Sequence, residues 1–136
     1  MRRSLLLGAA LCLSAAAAFA QDPVKVDPKH YSVVFENDQV RVLKIHYGAH
    51  EKSVMHTHPN SVVIPLTDMH AKFNLADGKS QDSNMKAGES MWTPATKHLP
   101  ENTGDAAMDG ILVELKGKPA THTAAKPAAP AKKPGS

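Results

Sequence analysis

Three histidines have the spacing of a metal-binding site. His56 and His58 are separated by one residue, and His98 follows forty residues later. On an extended segment, residues i and i+2 project to the same face, so the first two imidazoles are expected side by side. A third imidazole on a neighbouring strand would complete a set of three nitrogen ligands for a divalent ion. His56 and His58 are therefore candidate ligands of a metal site, with His98 as a candidate for the third.

The alternative is that these histidines are surface or interior polar side chains of a protein without metal. The remaining histidines have no ligand spacing, and each is expected to be solvated or held by a single hydrogen bond: His30, His46, His50, His70 and His122. No catalytic residue can be assigned from this pattern alone.

Other polar residues near the histidines are candidates for a supporting role. Glu51 and Glu101 are the nearest acidic residues, and each is a candidate fourth ligand or general base, with a surface role as the alternative. Strand alternation places Glu101 on the face opposite to His98, whereas Asn102 shares the face of His98. Asn102 is therefore expected to hydrogen-bond around the site. Trp92 is expected in the core or in a pocket wall.

Both ends of the chain are expected to lie outside the folded domain. Residues 1–20 have a basic start, an apolar run and a small-x-small end at Ala18-Phe19-Ala20, which predicts a signal peptide and a mature start at Gln21. A membrane anchor is the alternative, but the run is shorter than the ~20 apolar residues of a span. Residues 117–136 are rich in Lys, Pro, Ala and Thr, which predicts a disordered tail. The expected location is the periplasm or the medium.

Cysteine usage and charge exclude several classes of function. Cys12 lies inside the expected signal, so the mature chain has no disulfide, no thiolate ligand and no cysteine nucleophile. Residues 21–115 contain 9 lysines and arginines against 13 acidic residues, a net charge of −4. The net charge of +3 for the whole chain therefore comes from its ends and does not indicate nucleic-acid binding. No membrane span is expected after the signal is removed.

The pattern between residues 30 and 116 is typical of short β-strands. Asp77-Gly78 predicts a hairpin turn, and a change in the phase of the apolar residues near Leu43 predicts a bulge. No segment has a helical period of useful length. We therefore predict an all-β domain over residues 30–116, a small jelly-roll β-barrel of about 8–10 strands, preceded by an arm over residues 21–29. The expected strands cover residues 31–36, 40–47, 62–66, 71–75, 90–93, 98–102 and 107–115.

Two segments resemble the two motifs of the cupin family. The first motif, glycine followed by His-x-His, is matched by Gly48 and His56-Thr57-His58. The second runs through glycine, proline, histidine and asparagine, and is matched by Gly88, Pro94, His98 and Asn102. The resemblance covers nearly all of residues 30–116. It implies a jelly-roll barrel with His56, His58 and His98 as metal ligands.

The chain departs from the family pattern at a ligand that cupins take from a glutamate. That residue is expected four or five positions after His58, where Val62 and Val63 stand. The gap before the first histidine pair is also longer than usual, and the gap before His98 is one residue shorter. Without a carboxylate ligand, a divalent ion with three imidazoles has a net charge of +2 rather than +1. Such a site favours anionic ligands.

The resemblance leaves two classes of function open. The first is an exported cupin that binds one divalent ion (Fe, Zn, Mn, Cu or Ni) through the three histidines and binds or acts on a small organic anion. If it is an enzyme, dioxygenase-like chemistry is the implied class. The second is a non-catalytic metal- or ligand-binding protein, or a structural dimer module of the cell envelope. Homodimers are common among similar proteins. A deep pocket or a carboxylate beside the histidines would favour the first class.

Overall fold

The computed structural model describes residues 21–117, which form nine β-strands and one short helix. The expected signal peptide and all but the first residue of the expected tail lie outside the described residues. The elements in chain order are α1 (Pro23–Val26), β1 (Tyr31–Glu36), β2 (Val40–Tyr47), β3 (His56–His58), β4 (Ser61–Pro65), β5 (Met69–Leu75), β6 (Ser80–Met85), β7 (Met91–Thr93), β8 (Thr96–Asn102) and β9 (Met108–Leu115). The prediction of an all-β fold is confirmed.

The strands form two antiparallel sheets that share one core. The first sheet has the order β1-β2-β9-β4-β7 and the second has the order β3-β8-β5-β6. Buried residues from both sheets belong to a single cluster, so the inner faces pack against each other. The cluster contains Tyr31, Leu43, Tyr47, Met69, Ala71, Met85, Met108 and Leu112. This two-sheet arrangement is the predicted jelly roll.

The change of apolar phase near Leu43 has a cause other than the predicted bulge. Strand β2 pairs with β9 without interruption from Val40 to Tyr47, and the irregularity lies in β1, between Val33 and Phe35. The alternation of β2 puts Arg41 on the same inner face as Leu43. Its guanidinium binds a buried carboxylate there, so a charged residue stands where the pattern expects an apolar one. The predicted bulge in β2 is wrong.

The Asp77-Gly78 turn joins β5 to β6 as predicted. Gly78 has φ +84°, a left-handed conformation that glycine adopts without strain, and Asp77 Oδ1 accepts a hydrogen bond from the backbone N–H of Lys79. The second strand of this hairpin, β6, was not predicted. Its sequence, Ser-Gln-Asp-Ser-Asn-Met, has no apolar alternation because β6 is an exposed edge strand.

The N-terminal arm is folded against the barrel. Helix α1 starts with Asp22 as its N-cap, whose side chain accepts from the backbone N–H of Val24, and with Pro23 at the first helical position. The helix lies against β1 and β3, and Pro23 is buried. Among residues 21–117, no helix is long and apolar enough to cross a membrane.

Candidate metal centre

The antiparallel pairing of two strands brings the three histidines together. Strand β3 carries His56 and His58, and strand β8 carries His98, which is the direct cross-strand partner of His56. All three side chains are buried, with His56 at 0% exposure. One nitrogen from each ring lies within 4.8 Å of the others. The separation of forty residues in sequence becomes a single cluster of imidazoles.

Hydrogen bonds on the outer sides of two rings fix which nitrogen faces the cluster. His56 Nδ1 lies 2.8 Å from the carbonyl oxygen of Val54, which can only accept, so Nδ1 carries the hydrogen. His58 Nδ1 lies 2.7 Å from Glu114 Oε1 and donates in the same way. This leaves Nε2 of each ring directed at the cluster, which is the arrangement that metal-binding histidines have.

The inner nitrogens then fit a cation. Nε2 of His56 and Nε2 of His58 are 3.0 Å apart, a distance at which two lone pairs repel unless a proton or a metal ion lies between them. One divalent ion bound by both atoms would remove this repulsion. His98 Nε2 is buried and has no hydrogen-bond partner among the described residues. The donor set therefore suits a divalent ion.

The environment keeps two of these rings, His56 and His98, neutral. Burial, followed by the neighbouring His58, lowers the pKa of His56 to about 4, and the same two causes, joined by His56, lower the pKa of His98 to about 3. Both imidazoles are therefore unprotonated at pH 7. A neutral imidazole is the form that binds metal, so a metal ion at these two rings meets little competition from protons.

A buried carboxylate supports His58 from behind. Glu114 on β9 is 1% exposed and uses its two oxygens on two partners, Oε1 on His58 and Oε2 on Arg41 Nε at 2.6 Å. Arg41 in turn donates to Asp22 Oδ2 at 2.6 Å. Burial alone would raise the pKa of Glu114, but the hydrogen bonds from His58 and Arg41 outweigh it and hold that pKa below its ordinary value.

A second polar network lies beside His56. Asp27 is buried, accepts from Ser53 Oγ, and lies 2.7 Å from His30 Nδ1. Ser53 Oγ is also 3.3 Å from His56 Nδ1, and His30 stacks on Tyr47 at 4.1 Å between ring centroids. The expectation that His30 is solvated or held by one hydrogen bond is therefore wrong. His30 is a buried side chain bonded through both nitrogens, the second to Glu51 at 3.1 Å.

A cavity opens beside the histidines. Its volume is about 230 Å³, and His58 and His98 form part of its wall. Most of the remaining wall is apolar, with Phe73, Leu75 and Trp92 among the lining residues. The volume lies below the ~300–1,000 Å³ of pockets for drug-sized molecules, so the cavity suits a small ligand with an apolar body.

Solved structures with the same architecture identify the fold. No protein-family model and no curated protein matches the sequence. A cupin domain from Bordetella pertussis Tohama I superposes with a TM-score of 0.60 at 24% identity, covering 64% of this chain and 92% of that one. The fold is that of a cupin.

Two further structures support the same assignment. A conserved protein with a double-stranded β-helix domain from Klebsiella pneumoniae matches with a TM-score of 0.52 at 22% identity, over 64% of this chain and 76% of that one. A cupin family protein from Methanocaldococcus jannaschii matches with a TM-score of 0.52 at 16% identity, over 62% and 77%. At these identities the likeness establishes the cupin fold and leaves the activity open.

The other candidate residues lie around this cupin centre with different roles. Glu51 is absent from the cluster and instead binds Lys29, His30 and the backbone N–H of Gly48. These contacts, with the Lys29 hydrogen bond first, lower the pKa of Glu51 to about 2. Glu101 lies 3.8 Å from Lys52, away from the histidines.

Asn102 is buried in the cupin barrel and Trp92 is partly exposed, and neither joins the cluster. The Asn102 side chain donates to the carbonyls of Gly48 and Ala106 and accepts from the backbone N–H of Gly104, so its hydrogen bonds hold loops together and do not reach a histidine. Trp92 lines the cavity and is 44% exposed.

Sequence reasoning missed the residues behind the ligands. Glu114 interrupts an apolar run in β9, and Arg41 interrupts one in β2. Neither was considered as a site residue, because charged residues are rarely buried. The sequence does contain a sign of their burial. Glu114 lies two residues from the buried Leu112, and Arg41 lies two residues from the buried Leu43, so each shares the inner face of its strand. Two opposite charges in phase with the core predict a buried ion pair.

Proposed function

We propose that this protein is an exported cupin that binds one divalent metal ion through His56, His58 and His98 and acts on a small organic anion in a dioxygenase-like reaction. The observation that carries the proposal is the 3.0 Å separation of two inner Nε2 atoms, beside a third ring whose buried Nε2 has no partner among the described residues. Nitrogen ligands of this kind accept iron(II), zinc, manganese, copper or nickel.

Different residues of the chain have different roles in such a site. His56, His58 and His98 hold the ion, which supplies a positive charge that binds an anionic head group and, as iron, the ability to react with dioxygen. The cavity beside His58 and His98 receives the body of the ligand. Apolar side chains such as Phe73 and Leu75 exclude water from that space.

The cavity also supports a ligand-binding role over the structural alternative. A completely packed barrel interior would suit a structural dimer module, whereas this interior keeps about 230 Å³ next to two of the histidines. A carboxylate, Glu114, lies 2.7 Å from His58. A metal- or ligand-binding protein without catalysis stays the second candidate, because the same cavity and donor set serve binding alone. Homodimer formation and the absence of nucleic-acid binding stay predictions.

Metal analysis tests the central part of the proposal. The protein, purified without an affinity tag, is expected to carry close to one equivalent of metal, and a His56→Ala/His58→Ala variant almost none. His70→Ala is the matched control, because His70 is exposed and bonds Asn84 on the opposite edge of the domain. Equally little metal in the native protein and the double variant, also after incubation with Zn²⁺ or Fe²⁺, would refute the metal site.

Two simple anions test the ligand. The zinc-loaded protein is titrated calorimetrically with benzoate and with acetate, and benzoate is expected to bind more tightly because its ring is buried in the apolar cavity. A His98→Ala variant is expected to lose this binding. If neither anion binds, the ligand class is wrong.

Oxygen uptake then separates the two candidate functions. Iron(II)-loaded protein is mixed in air with the more tightly bound of these anions, and uptake matched by loss of the anion supports the dioxygenase-like reaction. Tight binding with no uptake beyond that of His98→Ala supports the non-catalytic candidate.

Export is tested by the mass of the protein recovered from fractionated cells. Cleavage after Ala20 predicts a mature chain that begins at Gln21 and is found outside the cytoplasm. A full-length chain in the cytoplasmic fraction would contradict this part of the proposal.

A further inference from the structure

The glutamate that cupins place after their histidine pair is missing, yet a carboxylate still lies beside these histidines. Val63, one of the two residues at the expected position, lines the cavity from β4. On the neighbouring strand β9, Glu114 is the cross-strand partner of Ser61. Ser61 lies two residues before Val63 and therefore on the same inner face of β4. The carboxylate therefore enters the barrel from the next strand and ends behind His58.

We propose that Glu114 is the carboxylate of this metal centre, acting through His58 rather than on the ion, and that Arg41 and Asp22 hold it in that position. The proposal rests on the three-histidine site proposed above. In this arrangement Glu114 is a positioning residue, since it touches a ligand and not the metal. Its task is to keep the hydrogen of His58 on Nδ1, so that Nε2 is free to bind.

The geometry around Glu114 leaves it little freedom. Oε1 accepts from His58 at 2.7 Å and Oε2 accepts from Arg41 Nε at 2.6 Å, so rotation of the carboxylate would break both contacts. The side chain is almost completely buried. A carboxylate held on both oxygens presents a fixed acceptor to His58, and a fixed acceptor selects one tautomer of the ring.

The chain of contacts continues to the N-terminal arm. Arg41 uses a second nitrogen to bind Asp22 Oδ2 at 2.6 Å, while Asp22 Oδ1 caps helix α1 through the N–H of Val24 at 2.9 Å. Asp22 is thus fixed by the arm and fixes Arg41 in turn. The predicted arm, which has no ligand of its own, becomes part of the support of the metal centre.

Stability alone is a poor reason for these charges. Replacing a buried ion pair by well-packed apolar residues is often neutral or stabilising. The other inner positions of β9 are apolar or glycine, with Met108 and Leu112 in the core. A glutamate at an inner position of β9 is better explained by its hydrogen bond with Nδ1 of His58. For His56 the backbone carbonyl of Val54 performs the same task, so both neighbouring rings are fixed from outside.

A glutamine at position 114 gives the proposal a sharp test. Arginine has only donors, whereas an amide has one accepting oxygen and one donating nitrogen. In Glu114→Gln the amide oxygen is expected to face Arg41, which turns the NH₂ group toward His58. Nδ1 of His58 must then accept, and the hydrogen moves to Nε2, the nitrogen needed by the metal. Removing the arginine as well, in Glu114→Gln/Arg41→Met, frees the amide to turn its oxygen back to His58.

The experiment measures zinc affinity by competition with a chelator, together with the His58 tautomer in metal-free protein by ¹⁵N–¹H NMR. Glu114→Gln is expected to bind zinc about 10–100-fold more weakly, the range typical of outer-shell partners of metal-binding histidines, and to carry its His58 hydrogen on Nε2. The double variant is expected to regain part of the lost affinity and the Nδ1 hydrogen. Asp68→Asn is the matched control, because it breaks an exposed 2.7 Å contact with Lys86 and should change affinity less than twofold.

Each contrary outcome has a distinct meaning. A folded Glu114→Gln with native affinity and the hydrogen still on Nδ1 would overturn the proposal, and so would a double variant weaker than the single one. If Glu114→Gln does not fold, the Asp22→Asn variant is the test. It is expected to bind zinc a few-fold more weakly, and unchanged affinity would show that the contacts from Asp22 to His58 do not support the metal site. Should the native protein bind no zinc, the proposed function fails, while the tautomer in metal-free protein still decides the role of Glu114.

Discussion

Two buried serines near the histidines have opposite hydrogen-bonding states. Ser53 Oγ donates to Asp27 and lies 3.3 Å from His56 Nδ1. Ser61 Oγ is fully buried and has no hydrogen-bond partner among the described residues. A bonded hydroxyl contributes to stability, whereas an unsatisfied one is desolvated without compensation.

The same substitution should therefore give different results at the two positions. Ser53→Ala is expected to lower the free energy of unfolding by about 1–3 kcal/mol, because it leaves Asp27 short of a donor. Ser61→Ala is expected to leave the stability of the metal-free protein unchanged or to raise it by up to about 1 kcal/mol. Urea unfolding of both variants checks this prediction, and a Ser61→Ala loss as large as that of Ser53→Ala would contradict it.

Glu51 predicts a specific dependence of stability on acid. Its pKa is about 2 because Lys29 and the Gly48 N–H bind the carboxylate in the folded protein. A carboxyl group whose pKa falls on folding stabilises the protein above its unfolded pKa of about 4.3, and this contribution disappears as the pH falls toward 2. Glu51→Gln should therefore unfold more easily than the native protein at pH 7, and the difference should shrink by pH 3.

The control for this experiment is Glu101→Gln, since Glu101 has a longer contact of 3.8 Å to Lys52. That variant is expected to differ little from the native protein at either pH. A Glu51→Gln variant with the same deficit at pH 7 and pH 3 would show that the carboxylate contributes through its shape rather than its charge.

Residue types and spacing could reveal the ligands but not their supports. His56 and His58 share a face by strand alternation, and the resemblance to the cupin motifs added His98. The supports come from distant parts of the chain. Sheet pairing brings Glu114 to the site from β9, whereas Asp27 comes from the end of helix α1, which packs against β1 and β3. A carboxylate was sought near the histidines in sequence, and Glu51 and Glu101 were the nearest candidates. The structure supplies it from the last strand.

At the level of elements, the strands with an apolar pattern were predictable and the polar edge strand β6 was not. Strands β2, β5, β8 and β9 alternate between inner and outer residues because one side of each is packed. Strand β6 pairs along one edge of β5 and is almost entirely exposed, so no core pattern marks it. The only sequence signal for β6 was the turn that precedes it, Asp77-Gly78.

That turn is expected to depend on its glycine. Gly78 has φ +84°, and a Cβ at this position would meet no atom within 4 Å, so the whole effect of a side chain is conformational strain. Gly78→Ala should lower the free energy of unfolding by about 1 kcal/mol. Chemical unfolding checks the value, with Lys79→Ala as the control in the same exposed turn. Equal stability of the two variants would contradict a strained turn.

At the scale of the whole molecule, charge is distributed unevenly along the chain. Residues 21–115 have a net charge of −4, while the whole chain has +3. Within the folded part, three charged side chains form a row of alternating sign, in which Arg41 lies between Asp22 and Glu114. With a divalent ion at three neutral histidines, this group has a formal charge of +1 rather than the +2 expected for an isolated three-histidine site. An anionic ligand is still favoured, by a smaller margin.

The two ends of a chain that begins at Gln21 should make unequal contributions to stability. The arm supplies Asp22 to Arg41 and Asp27 to both Ser53 and His30. A chain that starts at Lys29 leaves these partners inside the barrel without their carboxylates, and is expected to lose about 3–5 kcal/mol of unfolding free energy relative to a chain that starts at Gln21. It should also bind zinc more weakly, since Arg41 is no longer held.

The C-terminal tail is predicted to be disordered, so removal of residues 118–136 should change the unfolding free energy by less than about 0.5 kcal/mol. Urea unfolding of the three chains checks both expectations together. If the chain from Lys29 were as stable as the chain from Gln21 and bound zinc equally well, Asp22 would have no part in positioning the metal ligand.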